Sequence, residues 1–273
     1  MEQPKRKINI KIIIATHKKY RMPHDDIYIP IYVGAEGKTP IGYQGDNSGD
    51  NISTMNPHFC ELTGMYWAWK NLKADYLGLV HYRRHFCFCK KGGSNKEESK
   101  WKSVLNTKEA QMLCRQFDVI VPAKRIYGIE SLESHYAHTH YAEHLEKARN
   151  IINELYPQYG KSYDRVLKQK SGYMFNMFLM KTALVDEYCK FLFDVLFELD
   201  KQIDTSDYSA FQARYPGRIG ELLFNVWLDK KCQEGELKIK KIKCIHMEPI
   251  NWWNKGMAFL KAKFLGRRYE HGF

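Results

Sequence analysis

Tyr76-Leu77-Gly78-Leu79-Val80-His81-Tyr82-Arg83-Arg84-His85 decides the reading of this chain: a short apolar run stops abruptly in histidines and arginines. Such a run, bounded by polar residues, describes a strand buried on both faces. A second run of the same kind stands upstream, Ile10-Lys11-Ile12-Ile13-Ile14-Ala15-Thr16, and it also opens onto a basic loop, His17-Lys18-Lys19. Residues 27–33 alternate like a strand but include Pro30, which assigns them to an edge or irregular position because proline lacks a ladder donor. Residues 117–122 supply a third buried strand, closed by Pro122.

Helical signals lie between and after these strands. Asn56-Pro57 predicts a helix start, with Asn56 as cap and proline in the first turn, and Glu61, Leu62, Met65, Tyr66 and Trp69 continue at helical spacing to Asn71. Residues 90–102 are polar and glycine-rich and read as a loop. Helical patterns cover 133–141, 142–156, 183–201 and 219–231, and strands are expected at 173–180 and 238–246. Strands interleaved with helices predict an α/β fold, a mostly parallel Rossmann-like sheet flanked by helices, with a more helical second half.

With 273 residues, 44% hydrophobic and 14% aromatic, the chain has ample core material, which excludes a disordered protein. Its net charge of +12 asks for an anionic partner: nucleic acid, a phosphorylated small molecule or an acidic membrane surface. No apolar run is long enough for a spanning helix, and the charged start, Met1 to Lys7, does not fit a signal peptide. Seven scattered cysteines point to free thiols in a reducing, cytoplasmic setting. A zinc site at Cys87 and Cys89 would need two further ligands, for which no paired spacing exists.

In open α/β sheets ligands collect beyond the carboxyl ends of the strands. If the two runs are neighbours, Thr16, His17 and Lys18 converge with His81, Tyr82, Arg83, Arg84 and His85 on one crevice suited to a diphosphate. The plainer alternative makes Arg83 and Arg84 solvated loop residues. Asp46, Asp50 and Asn51 fall in a glycine-rich loop that either holds a ribose, a sugar hydroxyl or a metal, or is simple turn chemistry. Neither a Walker motif nor a Gly-x-Gly-x-x-Gly turn occurs. Glu61 stands in the first turn of its helix with Thr63, able to face the crevice. Trp67 and Trp69 read as core. His135, His138, His140 and His144 suggest a metal or a polar substrate-binding helix, without the glutamate spacing of a zinc protease. Glu221 and Asn225, four apart on one helix, either bind an acceptor hydroxyl with the glutamate as base or form an ordinary cap and surface pair.

Together, Asp46-Asn47-Ser48-Gly49-Asp50-Asn51-Ile52-Ser53, Asn56-Pro57-His58-Phe59-Cys60-Glu61-Leu62-Thr63, Tyr66-Trp67-Ala68-Trp69-Lys70-Asn71 and Gly78-Leu79-Val80-His81-Tyr82-Arg83-Arg84-His85-Phe86 resemble a known family. It is that of bacterial capsular and exopolysaccharide glycosyltransferases long catalogued as a domain of unknown function. The likeness continues at 117–122, at 173–180, most clearly Asn176-Met177, and at Gly220-Glu221-Leu222-Leu223 with Asn225 and Trp227. The resemblance implies a GT-A-like transferase taking a hexose, with galactofuranose among the candidates, from a nucleotide sugar, UDP-linked by preference. The implied acceptor is a lipid-linked saccharide of capsule, exopolysaccharide or O-antigen synthesis. Residues 1–246 would form one domain, with a donor half near 8–125 and an acceptor half near 126–246.

On that reading Glu221 is the base, with Asp50 or Glu61 as runner-up. Thr16, His17, Lys18, Asp46, Asn51, Glu61, Thr63, His81, Tyr82, Arg83 and Arg84 face the donor. His135, Asn176, Met177 and Asn225 face the acceptor. The usual Asp-x-Asp metal motif would follow residues 76–80, where His81-Tyr82-Arg83-Arg84 stands instead. Metal-independent transfer, with Arg83, Arg84 and Lys18 stabilising the leaving diphosphate, is therefore expected over Mg²⁺ or Mn²⁺.

From Lys230 to Phe273 eleven Lys/Arg face four Glu, and Trp252, Trp253, Met257, Phe259, Leu260, Phe264 and Leu265 interleave with the basic residues. Residues 247–273 are thus expected to lie as a basic amphipathic helix on an anionic membrane, the inner face of the plasma membrane, unless they pack on the domain. A non-catalytic polysaccharide-assembly scaffold is an alternative. So is a nucleic-acid-binding protein, for which no recognised motif appears.

Overall fold

A computed structural model describes residues 6–88, 97–235 and 237–248. Of the expected membrane helix, residues 249–273 lie outside the described residues, as does Cys89, while Met247 is buried in the domain and Glu248 pairs with Arg83. The first half runs β1 (Ile10–Thr16), β2 (Tyr28–Tyr32), β3 (Gln44–Gly45), α1 (Asn56–Phe59), α2 (Leu62–Asn71), β4 (Tyr76–His81), β5 (Arg84–Cys87), α3 (Glu97–Lys102), α4 (Thr107–Cys114) and β6 (Val119–Pro122). The second half continues with β7 (Arg125–Ile126), α5 (Leu132–Thr139), α6 (Glu143–Leu155), α7 (Gly160–Leu167), β8 (Ser171–Gly172), β9 (Phe178–Lys181), α8 (Thr182–Gln202), α9 (Tyr215–Glu234) and β10 (Ile239–His246).

β1 and β4 are parallel neighbours in register, Ile10↔Tyr76 through Ala15↔His81, so both basic carboxyl ends leave the sheet at the same edge. Alternation divides their side chains between two cores. Ile13, Ala15, Leu77 and Leu79 face the larger one, built with α2, α8 and α9, whereas Ile12, Ile14, Tyr76 and Val80 face a smaller one that includes Leu105 and Leu113. Gly78 is required by the close approach of β9: a methyl there would sit 2.8 Å from the Phe178 carbonyl oxygen.

The sheet is mixed rather than mostly parallel. β1–β2, β1–β4, β2–β3 and β6–β10 pair parallel, while β4–β5, β4–β9, β6–β9 and β5–β10 pair antiparallel. The two-residue connection Tyr82-Arg83 leaves β5 no choice but to run against β4. β9, arriving from the helical segment, inserts antiparallel between β4 and β6, so the two halves of the chain share one sheet.

Local expectations need three corrections. The helix begun at 56 breaks at Cys60, whose φ is +54, and its cap is Met55; the Asn56 amide instead donates to the Cys60 carbonyl at 2.7 Å. The strand expected at 173–180 shrinks to β9, because Phe175 and Asn176 are left-handed, with φ of 75° and 51°. Part of the loop expected at 90–102 is the helix α3.

Candidate active site

Beyond the carboxyl ends of β1 and β4 opens a cavity of about 770 Å³. The end of β1 and the residue after it contribute Thr16 and His17, and the end of β4, its turn and the start of β5 contribute His81, Tyr82, Arg83 and Arg84. The break between α1 and α2 brings Cys60 and Glu61. The opposite wall is one stripe of α9 and the turn before it, Arg214, Gly217, Arg218 and Glu221, spaced at helical intervals.

Two strained residues tie these walls together. The Phe175 amide donates to Glu221 Oε1 at 3.0 Å, and its carbonyl meets His81 Nε2 at 2.6 Å. Next to it, Asn176 Nδ2 donates to Glu61 Oε1 at 2.9 Å and to the Gly217 carbonyl at 3.1 Å. Cys60, Phe175 and Asn176 are the three non-glycine residues of positive φ among those described; Cys60 and Phe175 line this cavity, and Asn176 is bonded to Glu61 in its wall. Such strain persists where surrounding contacts over-determine the backbone, and it clusters at functional sites.

The cavity is basic with two acidic side chains in its wall. Arg83, Arg84, Arg214 and Arg218 line it together with Glu61 and Glu221. Burial first, then the neighbouring Glu61 charge, pushes the Glu221 carboxyl up to about 7, against the opposing effects of the Phe175 amide, Arg125 and Arg84. His17 and His81 are both held below the usual imidazole range, chiefly by burial, and further by Lys18 and then Arg83 and Arg214 at His17 and by Arg84 and Arg83 at His81; Glu61 and the Phe175 carbonyl act the other way on His81. Arg84 stacks its guanidinium 4.4 Å from the Phe175 ring, and its buried Nε has no hydrogen-bond partner among the described residues. A donor left over in a buried cationic group is what an anionic ligand would engage.

The family model described as a domain of unknown function, DUF4422, matches residues 11–232, a span that contains every residue of the cavity wall. The chain belongs to the DUF4422 family. Among solved structures it is similar to WbbM, described as a bifunctional glycosyltransferase in its apo form, with 32% identity and a TM-score of 0.81. The match covers 88% of this chain and 46% of WbbM, so the chain spans about half the length of that relative. No curated protein matches.

Of the residues expected to face a donor, Thr16, His17, Glu61, His81, Tyr82, Arg83 and Arg84 lie in the wall of this DUF4422 cavity, and so does Glu221. Thr16 spends its hydroxyl locally, donating to the Lys18 carbonyl at 2.7 Å. Lys18 stands outside the wall, its ammonium 5.4 Å from the Tyr82 ring centre. Asp46 and Thr63 are corrected: both are fully buried, with Thr63 donating to Asp46 at 2.6 Å, so neither faces a ligand. Asn51 caps its own turn through the Gly49 carbonyl and Ser53 amide, and Asp50 accepts from Tyr66 at 3.1 Å, away from the cavity. Asp50 is therefore misplaced as a base.

On the acceptor side only Asn176 reaches the site, and it does so through Glu61. Met177 is buried in the smaller core. Asn225 uses its amide on both the Tyr173 amide and carbonyl, which anchors the segment leading to Phe175. His135 and His138 both hold the buried Glu130, at 2.9 and 2.7 Å. His140 meets Gln212, and His144 meets Tyr136 and Tyr208, so the histidines are separately engaged.

Sequence reasoning missed Arg214, Arg218, Cys60, Phe175 and Phe211. The two arginines carried a usable signal, since they lie seven and three residues before Glu221 and hence on its face. Arginines and His81 occupy the end of β4, and among the described residues no group of three His, Cys, Asp or Glu side chains is placed to hold a metal ion by itself.

Proposed function

We propose that this chain is a glycosyltransferase that moves a sugar from a nucleotide-sugar donor to a hydroxyl of a saccharide acceptor. The observation that carries it is a carboxyl poised near neutrality, Glu221, facing a cavity ringed by four arginines at the carboxyl edge of the sheet. The similarity to WbbM supports the same reading.

Glu221 takes the proton of the acceptor hydroxyl as that oxygen attacks the anomeric carbon. The bond from this carbon to the diphosphate oxygen breaks, and the nucleoside diphosphate leaves with its charge held by Arg83, Arg84, Arg214 and Arg218. A single displacement of this kind inverts the configuration. Glu61, held by Asn176, binds hydroxyls of the transferred sugar. The finer assignment is a UDP-linked hexose passed to a lipid-linked saccharide in capsule, exopolysaccharide or O-antigen synthesis, without a divalent ion.

A thermal-shift panel of nucleotide sugars tests the reading. At a ligand concentration about 100 times the Kd, binding adds about 2.7 kcal/mol, a rise of about 5 °C or more for a chain of this size. Replacement Arg84→Met is expected to abolish the rise. No shift with any nucleotide sugar or nucleoside diphosphate would remove the proposal.

Asn176→Gly tests the strained junction. Glycine accepts the left-handed backbone, while Glu61 loses its donor. Turnover is expected to fall about 10- to 100-fold with the chain still folded. A rate within about three-fold of wild type would leave Glu61 without a role in the reaction.

A further inference from the structure

The two most exposed large aliphatic side chains among the described residues, Ile126 at 78% and Ile129 at 69%, share one turn. It is Ile126-Tyr127-Gly128-Ile129, reversed at Gly128 with φ of +66°. The turn is tied at several points. β7 pairs with β8 through Arg125↔Gly172 and Ile126↔Ser171. The Tyr127 amide donates to the Lys170 carbonyl at 2.9 Å, and the Leu132 amide to the Gln169 carbonyl at 2.8 Å. The Tyr127 ring packs 4.4 Å from His135 and lies 4.8 Å from the Arg125 guanidinium. The fold therefore holds two isoleucines in water on a braced support.

The surroundings are basic. Lys168 and Lys170 are exposed on the facing segment, Lys124 and Arg125 precede the turn, and Lys241 lies close enough to act on Lys124 electrostatically. The sole acid between residues 124 and 132, Glu130, is 3% exposed and held by His135 and His138. Two side chains on a turn offer too little apolar area for a stable protein interface, which buries about 800 Å² per partner. Aliphatic residues rimmed by lysines complement an anionic bilayer, where the apolar groups enter the boundary and the cations meet headgroups.

We propose that this turn inserts Ile126 and Ile129 into an anionic lipid surface, with the surrounding lysines on the headgroups. The ribbon of β7 and β8 connects to α9 through the Asn225–Tyr173 pair, and Arg125 is among the charges acting on Glu221. The proposal goes beyond the transferase reading, and binding is measured without substrate, so each stands or falls alone.

The test is sedimentation of the full chain with vesicles of phosphatidylcholine alone and of phosphatidylcholine mixed with phosphatidylglycerol. Binding to the mixed vesicles is expected to exceed binding to the neutral ones and to fall about ten-fold in Ile126→Ser/Ile129→Ser. A comparable loss is expected in Lys168→Glu/Lys170→Glu, with both melting temperatures within about 2 °C of wild type because the altered side chains are exposed. Residues 249–273 are present in every variant, so the difference reports the turn. A loss below about three-fold in the isoleucine variant, equal binding to both vesicle types, or a solution dimer that the isoleucine variant dissociates would each overturn the proposal.

Discussion

Glu221→Gln is expected to lower the transfer rate about 1,000-fold while leaving donor binding nearly unchanged. General-base contributions are typically about 100- to 10,000-fold, and glutamine keeps the shape and the acceptor for the Phe175 amide while losing the basic oxygen. The wild-type rate should rise with pH through about 7, where the buried carboxyl loses its proton, and the variant should lose that rise. Rates measured from pH 5 to 9, together with donor-induced thermal shifts of both proteins, check the claim. Transfer within a few-fold of wild type would reassign the base.

The same substitution should change stability in the opposite sense. Burial, with the Glu61 charge beside it, raises the folded pKa of Glu221 from its ordinary carboxyl range to about 7. The protonated form therefore suits the folded state, and its stabilising share is complete below the unfolded value and is lost as pH rises through about 7. Glutamine carries no charge to bury, so the melting temperature of the variant should gain on wild type by a few degrees between pH 5 and pH 8. An equal difference at both pH values would contradict this. A group that costs stability in its working ionisation state is the exchange expected of a catalytic position.

Asp46→Ala is expected to destabilise the fold by about 3–5 kcal/mol, or roughly 10 °C in melting temperature. Its fully buried carboxylate accepts from the Gly34 amide at 2.8 Å, the Ala35 amide at 3.0 Å, Ser53 Oγ at 2.5 Å and Thr63 Oγ1 at 2.6 Å. Alanine would leave the Gly34 and Ala35 amides and the Ser53 hydroxyl without their acceptor at once, while Thr63 keeps the Cys60 carbonyl at 3.0 Å. The Thr63 hydroxyl also accepts from Asn56, whose amide holds the Cys60 carbonyl, so the Asp46 network supports the turn that presents Cys60 and Glu61. Chemical denaturation of the variant measures the loss. A loss below about 1 kcal/mol would contradict the role given to Asp46.

The legible parts of the site were those whose position follows from a strand end. His17, His81 and Arg84 come together because β1 and β4 are parallel neighbours, which the sequence reading could state only as a condition. Glu221 was legible from helical spacing near Asn225. Asp46, Asp50 and Asn51 misled because a carboxylate in a glycine-rich loop has the same local signature whether it holds a ligand or its own backbone. Asp46 serves the backbone, and only its burial distinguishes the two roles. The histidines of α5 and its surroundings misled similarly: periodic spacing suggested a shared ligand, yet Glu130, Gln212 and Tyr208 engage them separately.

The sequence by itself determined the buried strands, the long helices, the basic carboxyl edge and the excess of positive charge, since side-chain periodicity and strand length are local properties. Tertiary structure alone decided that the sheet is mixed, that Phe175 and Asn176 leave the strand to hold Glu221, His81 and Glu61, and that Arg214 and Arg218 line the same cavity as Arg84. The hydrogen bonds from Phe175 and Asn176 to Glu221, His81 and Glu61 span 46 to 115 residues of chain, and no local pattern encodes such pairing. Glu221 acquires its proton affinity the same way: burial and a second carboxylate shift it, and both arise only when α9 closes against the end of the sheet.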